Sequence, residues 1–260
     1  MDMSSIRRTR CGGKTALLTA ALGSSLLLAV CAFAAPVSSE DAPAAATKPR
    51  TPEDAVTPVP KDLNRHAQFL ERIKDGPVDL VFFGDSITDH WSKIGELSWA
   101  EYAPYHPANF GVSADQTSHV LWRINNGELD GIHPRVAVVL IGTNNLGRNL
   151  DEKPEWTAAG IKKIVDTIHQ KLPETKVLLL GIFPRFTRNS PLRERVLATN
   201  QIIARFADGD QTRFLDIGDK FLDSNGEIPL DIMPDRVHPS AKGYHIWHDA
   251  MAPTLDEMMH

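Results

Sequence analysis

A serine stands where an apolar run stops. The segment Val78-Asp79-Leu80-Val81-Phe82-Phe83 leads into Gly84-Asp85-Ser86, and far downstream the chain carries Asp235-Arg236-Val237-His238. A hydroxyl, an imidazole and a carboxylate are the parts of a serine hydrolase. A buried strand ending in a turn can hold the Ser86 hydroxyl at a sheet edge, where His238, supported by Asp235, removes its proton. Each motif also has a plain structural reading: Gly84-Asp85-Ser86 fits a turn or a helix cap, and Asp235 with His238 a local hydrogen bond in a loop.

Two further motifs supply what a nucleophile alone lacks. Asn109-Phe110-Gly111 closes one strand pattern, and Gly142-Thr143-Asn144-Asn145 follows another, Val136-Ala137-Val138-Val139-Leu140-Ile141. Glycine permits close backbone approach, and an amide donates hydrogen bonds without charge. The Gly111 N–H and the Asn144 side chain can therefore join the Ser86 N–H around a developing oxyanion. Taken singly, each motif reads as a turn; all at strand ends, they read as an acyl-transfer site.

Nearby candidates fit other roles. Asp89, His90 and Trp91 are too close in sequence to Ser86 to form its relay and are expected at the cleft mouth. His245 and His248 fall on the last helical pattern without a His-Glu-x-x-His arrangement, so surface or core positions are expected and no metal site. Thr88 occupies the last position of what would be Gly-x-Ser-x-Gly, which disfavours the nucleophile elbow of α/β-hydrolases.

Alternating elements must position these residues. Strands are expected at 78–84, 108–111, 135–142, 176–183 and 213–216, the third and fourth as continuous apolar runs of the kind found where both sheet faces are covered. Between them lie helical patterns at 154–172, 193–206 and 241–258. In the first, Ile161, Ile164, Val165, Ile168 and Leu172 form one apolar stripe. This alternation predicts an α/β fold with a parallel sheet between helices, in which ligands bind beyond the carboxyl ends of the strands.

Composition bounds the rest. At 260 residues and a net charge of -5, the chain suits one globular domain with an appendage, and no basic patch points to nucleic acid. Arg7, Arg8, Arg10 and Lys14 precede an Ala/Leu-rich stretch and Ala32-Phe33-Ala34, which predicts a signal peptide over residues 1–34 and a secreted or periplasmic protein. A stable membrane anchor is disfavoured because the apolar stretch is short and interrupted by Gly23-Ser24-Ser25. Cys11 and Cys31 both lie in the segment expected to be removed, leaving no disulfide. Residues 35–62, rich in Ala and Pro, are expected to form a flexible leader to a domain at 63–260.

The four blocks, in this order, resemble the SGNH, or GDSL, hydrolase family. Asn109-Phe110-Gly111, His119-Val120-Leu121-Trp122-Arg123, Asn126-Gly127-Glu128-Leu129, Gly142-Thr143-Asn144-Asn145 and Pro191-Leu192-Arg193-Glu194 are similar to its platelet-activating-factor acetylhydrolase branch. The resemblance implies a flavodoxin-like three-layer α/β/α sandwich on a five-stranded parallel sheet. It also implies short-chain ester hydrolysis without metal or cofactor, and a homodimer. In those terms Ser86 is the nucleophile, His238 the base and Asp235 its orienting partner, with Ser86, Gly111 and Asn144 as the oxyanion hole. The chain departs from that branch at Val112-Ser113-Ala114, where Ile-Gly-Gly is usual.

The expected substrate is a small-molecule or glycan ester with an acetyl or other short acyl group, since no connection is long enough for a large lid. Short-acyl phospholipid is the alternative within enzymes. From another class, the rival is a carbohydrate-binding protein on an inactive hydrolase scaffold.

Overall fold

The computed structural model describes residues 49–260, so the expected signal peptide, both cysteines and the first half of the leader lie outside the described residues. Five strands, β1 (Leu80–Gly84), β2 (Pro107–Gly111), β3 (Val136–Leu140), β4 (Lys176–Leu180) and β5 (Thr212–Leu215), pair in the order β2-β1-β3-β4-β5, every pair parallel. The chain winds from β1 outward to β2, then crosses back to β3 and continues to the other edge. The strand order therefore reverses between β1 and β3, where side-by-side connections leave in opposite directions and open a crevice at the carboxyl ends.

Strand periodicity splits the core into two layers. Val81 and Phe83 of β1, with Val139 of β3 and Leu179 of β4, face one side; Leu80 and Phe82, with Val138 and Leu178, face the other. Because both faces are covered, β1 and β3 are buried at every position.

Among the described residues, ten α-helices and three short 3-10 turns surround the sheet: α1 (Pro52–Val56), α2 (Leu63–Lys74), α3 (Ser86–Asp89), α4 (Trp91–Ile94), α5 (Glu96–Ala100), α6 (Thr117–Asn125), α7 (Thr143–Arg148), α8 (Pro154–Lys171), α9 (Pro191–Ile203) and α10 (Ala241–Met259). The expected stripe of α8 is present: Ile161, Ile164, Val165 and Ile168 pack with Val120, Leu121 and Ile124 of α6 on the first face. On the second face α10 brings Tyr244, Trp247, Met251 and Leu255 against Trp91 and Phe82. Among the described residues no helix is long and apolar enough to cross a membrane.

The stretch just before α2 differs from the expected flexible leader. Residues 52–56 form α1, whose Ala55 is buried and whose carbonyl accepts from Thr117 Oγ1 at 2.8 Å, while Arg50 pairs with Glu152 at 2.9 Å. Pro52 at the first helical turn and the Thr51 N–H donating to Asp54 at 2.7 Å give this short helix a defined start. A pattern of five residues carries too little periodicity to be read against an Ala/Pro-rich background.

Candidate active site

Ser86 opens the one-turn helix α3 immediately after β1, and it does so because Asp85 caps that helix through a hydrogen bond from the Ile87 N–H at 2.9 Å. Placement at the first helical position leaves the Ser86 N–H without an intrahelical acceptor and directs it into the crevice beyond the sheet. His238 comes from the long loop before α10. There Arg236 adopts a left-handed conformation (φ 60°) that folds the chain back over Asp235, held by the Phe186 N–H donating to the Arg236 carbonyl at 2.9 Å.

Ser86 Oγ lies 2.9 Å from His238 Nε2, and His238 Nδ1 lies 2.6 Å from Asp235 Oδ2. Asp235 Oδ1 accepts from the backbone N–H groups of Val237 at 3.0 Å and His238 at 2.7 Å. The carboxylate accepts at Nδ1, so that nitrogen carries the ring proton and Nε2 is free to accept from the serine hydroxyl. Burial acts to raise the Asp235 carboxyl, but the bonds from the His238 ring and from the two backbone N–H groups outweigh it and hold the carboxyl below its ordinary range. The result is a hydroxyl with a base in hydrogen-bond reach and an ionised group orienting that base, the arrangement that activates a nucleophile.

Of the expected oxyanion groups, Ser86 and Asn144 line the same crevice, and Gly111 and Asn144 have hydrogen-bond partners of their own. Gly111 ends β2 beside α3. A Cβ there would overlap the backbone of Thr88 and Asp89, so only glycine allows β2 to approach the serine turn. Its N–H donates to Asn109 Oδ1 at 2.9 Å, while Asn109 Nδ2 donates to the Thr88 carbonyl at 2.7 Å. Asn144, in α7, donates through Nδ2 to the Asp115 carbonyl at 3.0 Å and to Asp85 Oδ2 at 3.3 Å. Asn145 is turned away and buried; its side chain clamps Thr117 at the start of α6, accepting from the Thr117 N–H at 3.0 Å.

Ser86, His238 and Asn144 line one cavity of about 460 Å³ with His90, Ser113, Ala114, Arg148, Arg185 and Val237, and Gly111 is not part of its lining; the volume is within the range of small-molecule sites. A larger cavity of about 510 Å³ beside Ile182, Asn200, Asp216 and Leu222 lacks any nucleophile and base in contact, so size does not locate the chemistry. Of the three residues expected at the cleft mouth, only His90 lines it. Asp89 is buried and accepts from Ser113 Oγ at 3.0 Å and Arg65 at 3.1 Å, and Trp91 lies in the core, its indole N–H donating to Ser98 Oγ at 3.0 Å. A four-residue helix rotates successive side chains by about 100°, so neighbours of His90 cannot share its direction.

Sequence reasoning missed three features. A buried charge network under the site joins Arg123 to Asp115 and Glu128, Lys61 to Asp115 at 2.9 Å, and His66 to Glu128 at 3.1 Å. Polar residues within one amphipathic window read as exposed, and nothing marks their partners. Arg148, the last residue of α7, and Arg185, in the connection after β4, reach the cavity rim from separate elements. Glu101, His245 and His248 bring potential ligand atoms within 4.8 Å of one another on the exposed side of α10; the spacing of the two histidines was visible, their glutamate neighbour from α5's end was not.

The family profile described as GDSL-like Lipase/Acylhydrolase matches residues 82–246. The chain is 37% identical over 212 residues to platelet-activating factor acetylhydrolase IB subunit alpha1 of Homo sapiens, a match covering 80% of this chain and 87% of the relative. Solved structures share the fold at lower identity. A GDSL-like lipase from Bacteroides thetaiotaomicron superposes with a TM-score of 0.63 at 18% identity, over 75% of this chain and 99% of that one. An acetylxylan esterase from Geobacillus stearothermophilus gives 0.56 at 20% identity, over 69% and 93%.

Proposed function

The chain belongs to the GDSL-like lipase/acylhydrolase family and is a carboxylic ester hydrolase; we propose that it is an exported serine esterase removing acetyl and other short acyl groups from carbohydrates or small molecules. The observation that carries this reading is the 2.9 Å contact between Ser86 Oγ and His238 Nε2 inside a cavity that also holds Asn144.

Chemistry at this geometry runs in two halves. The Ser86 hydroxyl gives its proton to His238 Nε2 while Oγ bonds to the ester carbonyl carbon, and the carbonyl electron pair moves onto oxygen, where the Ser86 N–H, Gly111 N–H and Asn144 amide receive the charge. Asp235 supports the imidazolium that forms. As the carbon–oxygen bond to the leaving alcohol breaks, His238 returns the proton to that alcohol. Water then attacks the acyl-enzyme, giving a proton to His238 as it does so, and the acid departs as the proton returns to Ser86 Oγ.

A cavity of about 460 Å³ favours a short acyl group over a long one. Export rests on the sequence of residues 1–34, and sequencing the amino terminus of the protein recovered outside the cytoplasm tests it: a start at Ala35 supports export, an intact Met1 opposes it. A second reading, hydrolysis of a short-acyl phospholipid, is favoured by the 37% identity to the acetylhydrolase subunit. Hydrolysis of p-nitrophenyl esters from acetate to decanoate, by the protein and its Ser86→Ala variant, tests the main reading. Serine-dependent turnover steepest for acetate is expected; a preference for long chains defeats the short-acyl assignment, and no turnover by folded protein defeats the esterase assignment.

A further inference from the structure

Two guanidinium groups stand at the rim of the ester cavity without a carboxylate in ion-pair contact among the described residues. Arg148, at the last turn of α7, is exposed, and its one hydrogen bond is a long contact of 3.4 Å from Nε to Asn144 Oδ1. Arg185 follows β4 and is half-buried. Its Nη1 donates to the Thr143 carbonyl at 2.7 Å and to Thr143 Oγ1 at 3.1 Å, and its guanidinium lies 4.6 Å from the Phe186 ring. It lies across Gly147, where an added Cβ would meet its guanidinium. Among the described residues neither arginine has an Asp or Glu within ion-pair distance, although the chain carries an excess of acidic residues and the buried Arg123 beneath the site is paired with two carboxylates.

Two carboxylates act on Arg185 from beyond ion-pair distance, Asp85 and then Asp235. Asp235 is committed to His238, and Asp85 lies beneath the cavity floor, capping α3 and accepting from Asn144. Lys61 approaches from the leader side, its ammonium on Asp115 and the Ser113 carbonyl. His119 behind it is pushed down to about 4, by burial first and then by the positive charges of Lys61, Arg50 and Arg148. An unpaired arginine presenting a planar fork of donors to a cavity is suited to a carboxylate or phosphate.

We propose that Arg148 and Arg185 form an anion subsite of the ester cavity, so that the preferred substrates are acyl esters whose alcohol portion carries a carboxylate or a phosphate. This assignment rests on the esterase reading above and narrows its substrate class. Arg185 is the fixed member, anchored on Thr143; Arg148 is the adjustable one, free to close on the anion once the acyl group is against Ser86. A phosphodiester lipid headgroup and an acidic sugar would present the same chemistry to it.

The test uses three acetate esters of matched size: 4-acetoxybenzoate, its neutral amide 4-acetoxybenzamide, and 4-acetoxyphenyl phosphate. For each protein the measured quantity is the ratio of kcat/KM for an anionic ester to that for the amide; comparing ratios between proteins cancels the differing reactivity of the leaving groups. Replacing Arg148→Gln is expected to lower the ratio about tenfold, Arg148→Lys to retain most of it, and Arg148→Glu to lower it further, with added salt weakening the wild-type preference. Whether the carboxylate or the phosphate ester shows the larger drop identifies which anion the subsite takes. Equal ratios in the wild-type and Arg148→Gln proteins overturn the anion subsite while leaving the esterase reading standing. Failure of all three esters to turn over in a Ser86-dependent manner overturns the esterase reading and the subsite with it.

Discussion

Asn144 Nδ2 lies 3.3 Å from Asp85 Oδ2 and 3.0 Å from the Asp115 carbonyl, so both protons of the expected oxyanion donor already face acceptors. The two bonds are unequal. The contact to Asp85 is at the long end of the hydrogen-bond range, and it is the one a developing oxyanion on the Ser86 side can compete for, while the Asp115 carbonyl keeps the amide in place. Asparagine is thus held by its rear proton and offered by its front one.

Removing that amide should expose its part in the chemistry. Asn144→Ala is expected to lower kcat on p-nitrophenyl acetate by about 100- to 1000-fold, as for other single oxyanion donors, with a smaller change in KM. Turnover within twofold of wild type would show that the amide never leaves its resting acceptors and takes no part in the reaction.

Asp85 gives the fold a pH dependence of a defined sign. Burial pushes its carboxyl up to about 6, with the Ile87 N–H bond and the charges of His238, Arg185 and Lys61 acting in the opposite direction. A carboxyl whose folded pKa lies above its unfolded value of 3.8 favours the folded state fully below that value, and the contribution is lost as pH rises through about 6. The span corresponds to about 3 kcal/mol at ~1.4 kcal/mol per unit. Asp85→Asn keeps an oxygen for the Ile87 N–H and removes the titration. Urea unfolding of both proteins at pH 4 and pH 7.5 should therefore show the variant gaining on wild type by about 2.5 kcal/mol between the two conditions, less than the full span because the unfolded carboxyl is already partly ionised at pH 4. A constant difference at both values would mean that Asp85 titrates alike in the folded and unfolded chains.

The frame of the molecule was legible because parallel strands buried on both faces leave continuous apolar runs, and because strand ends carry glycine where connections turn sharply. All five strands and the three long helices lie where the patterns predict them, with ends shifted by a few residues. Ser86, His238, Asp235 and Asn144 could be nominated since their chemistry is unusual at strand ends and in a late loop. The short helices between β1 and β2 escaped: single turns have no period, so Trp91 read as a neighbour of His90 when it is the centre of the aromatic core with Trp247 at 4.0 Å. Asn109 was visible as a residue, but its capture of the Gly111 N–H depends on a side chain folding back over its own strand. Arg123 was quoted only as part of a resemblance, because a charged residue inside a helical stripe carries no mark of whether it meets water or a buried carboxylate.

That arginine supports the site from beneath. Arg123 is wholly buried on α6, donates to the Phe110 carbonyl at 2.9 Å, pairs with Asp115, and places Nε 2.9 Å from Glu128 Oε1. Phe110 precedes Gly111, and Asp115 supplies the carbonyl that holds Asn144, so the network fixes both ends of the loop bordering the expected oxyanion hole. Arg123→Met keeps the volume and deletes the charge, leaving Glu128 with only His66 and Asp115 with only Lys61 and His119. The expected cost is about 3–5 kcal/mol in urea unfolding, the penalty of stranding buried carboxylates. Adding Glu128→Gln to that variant should restore more than about 1 kcal/mol, because it removes a stranded charge without refilling any space. A kcat reduced in the single variant under conditions where it remains folded would follow from the loosened loop. Failure of the second substitution to restore any stability would mean that Arg123 contributes packing rather than charge, and the network would lose its claim to hold the site.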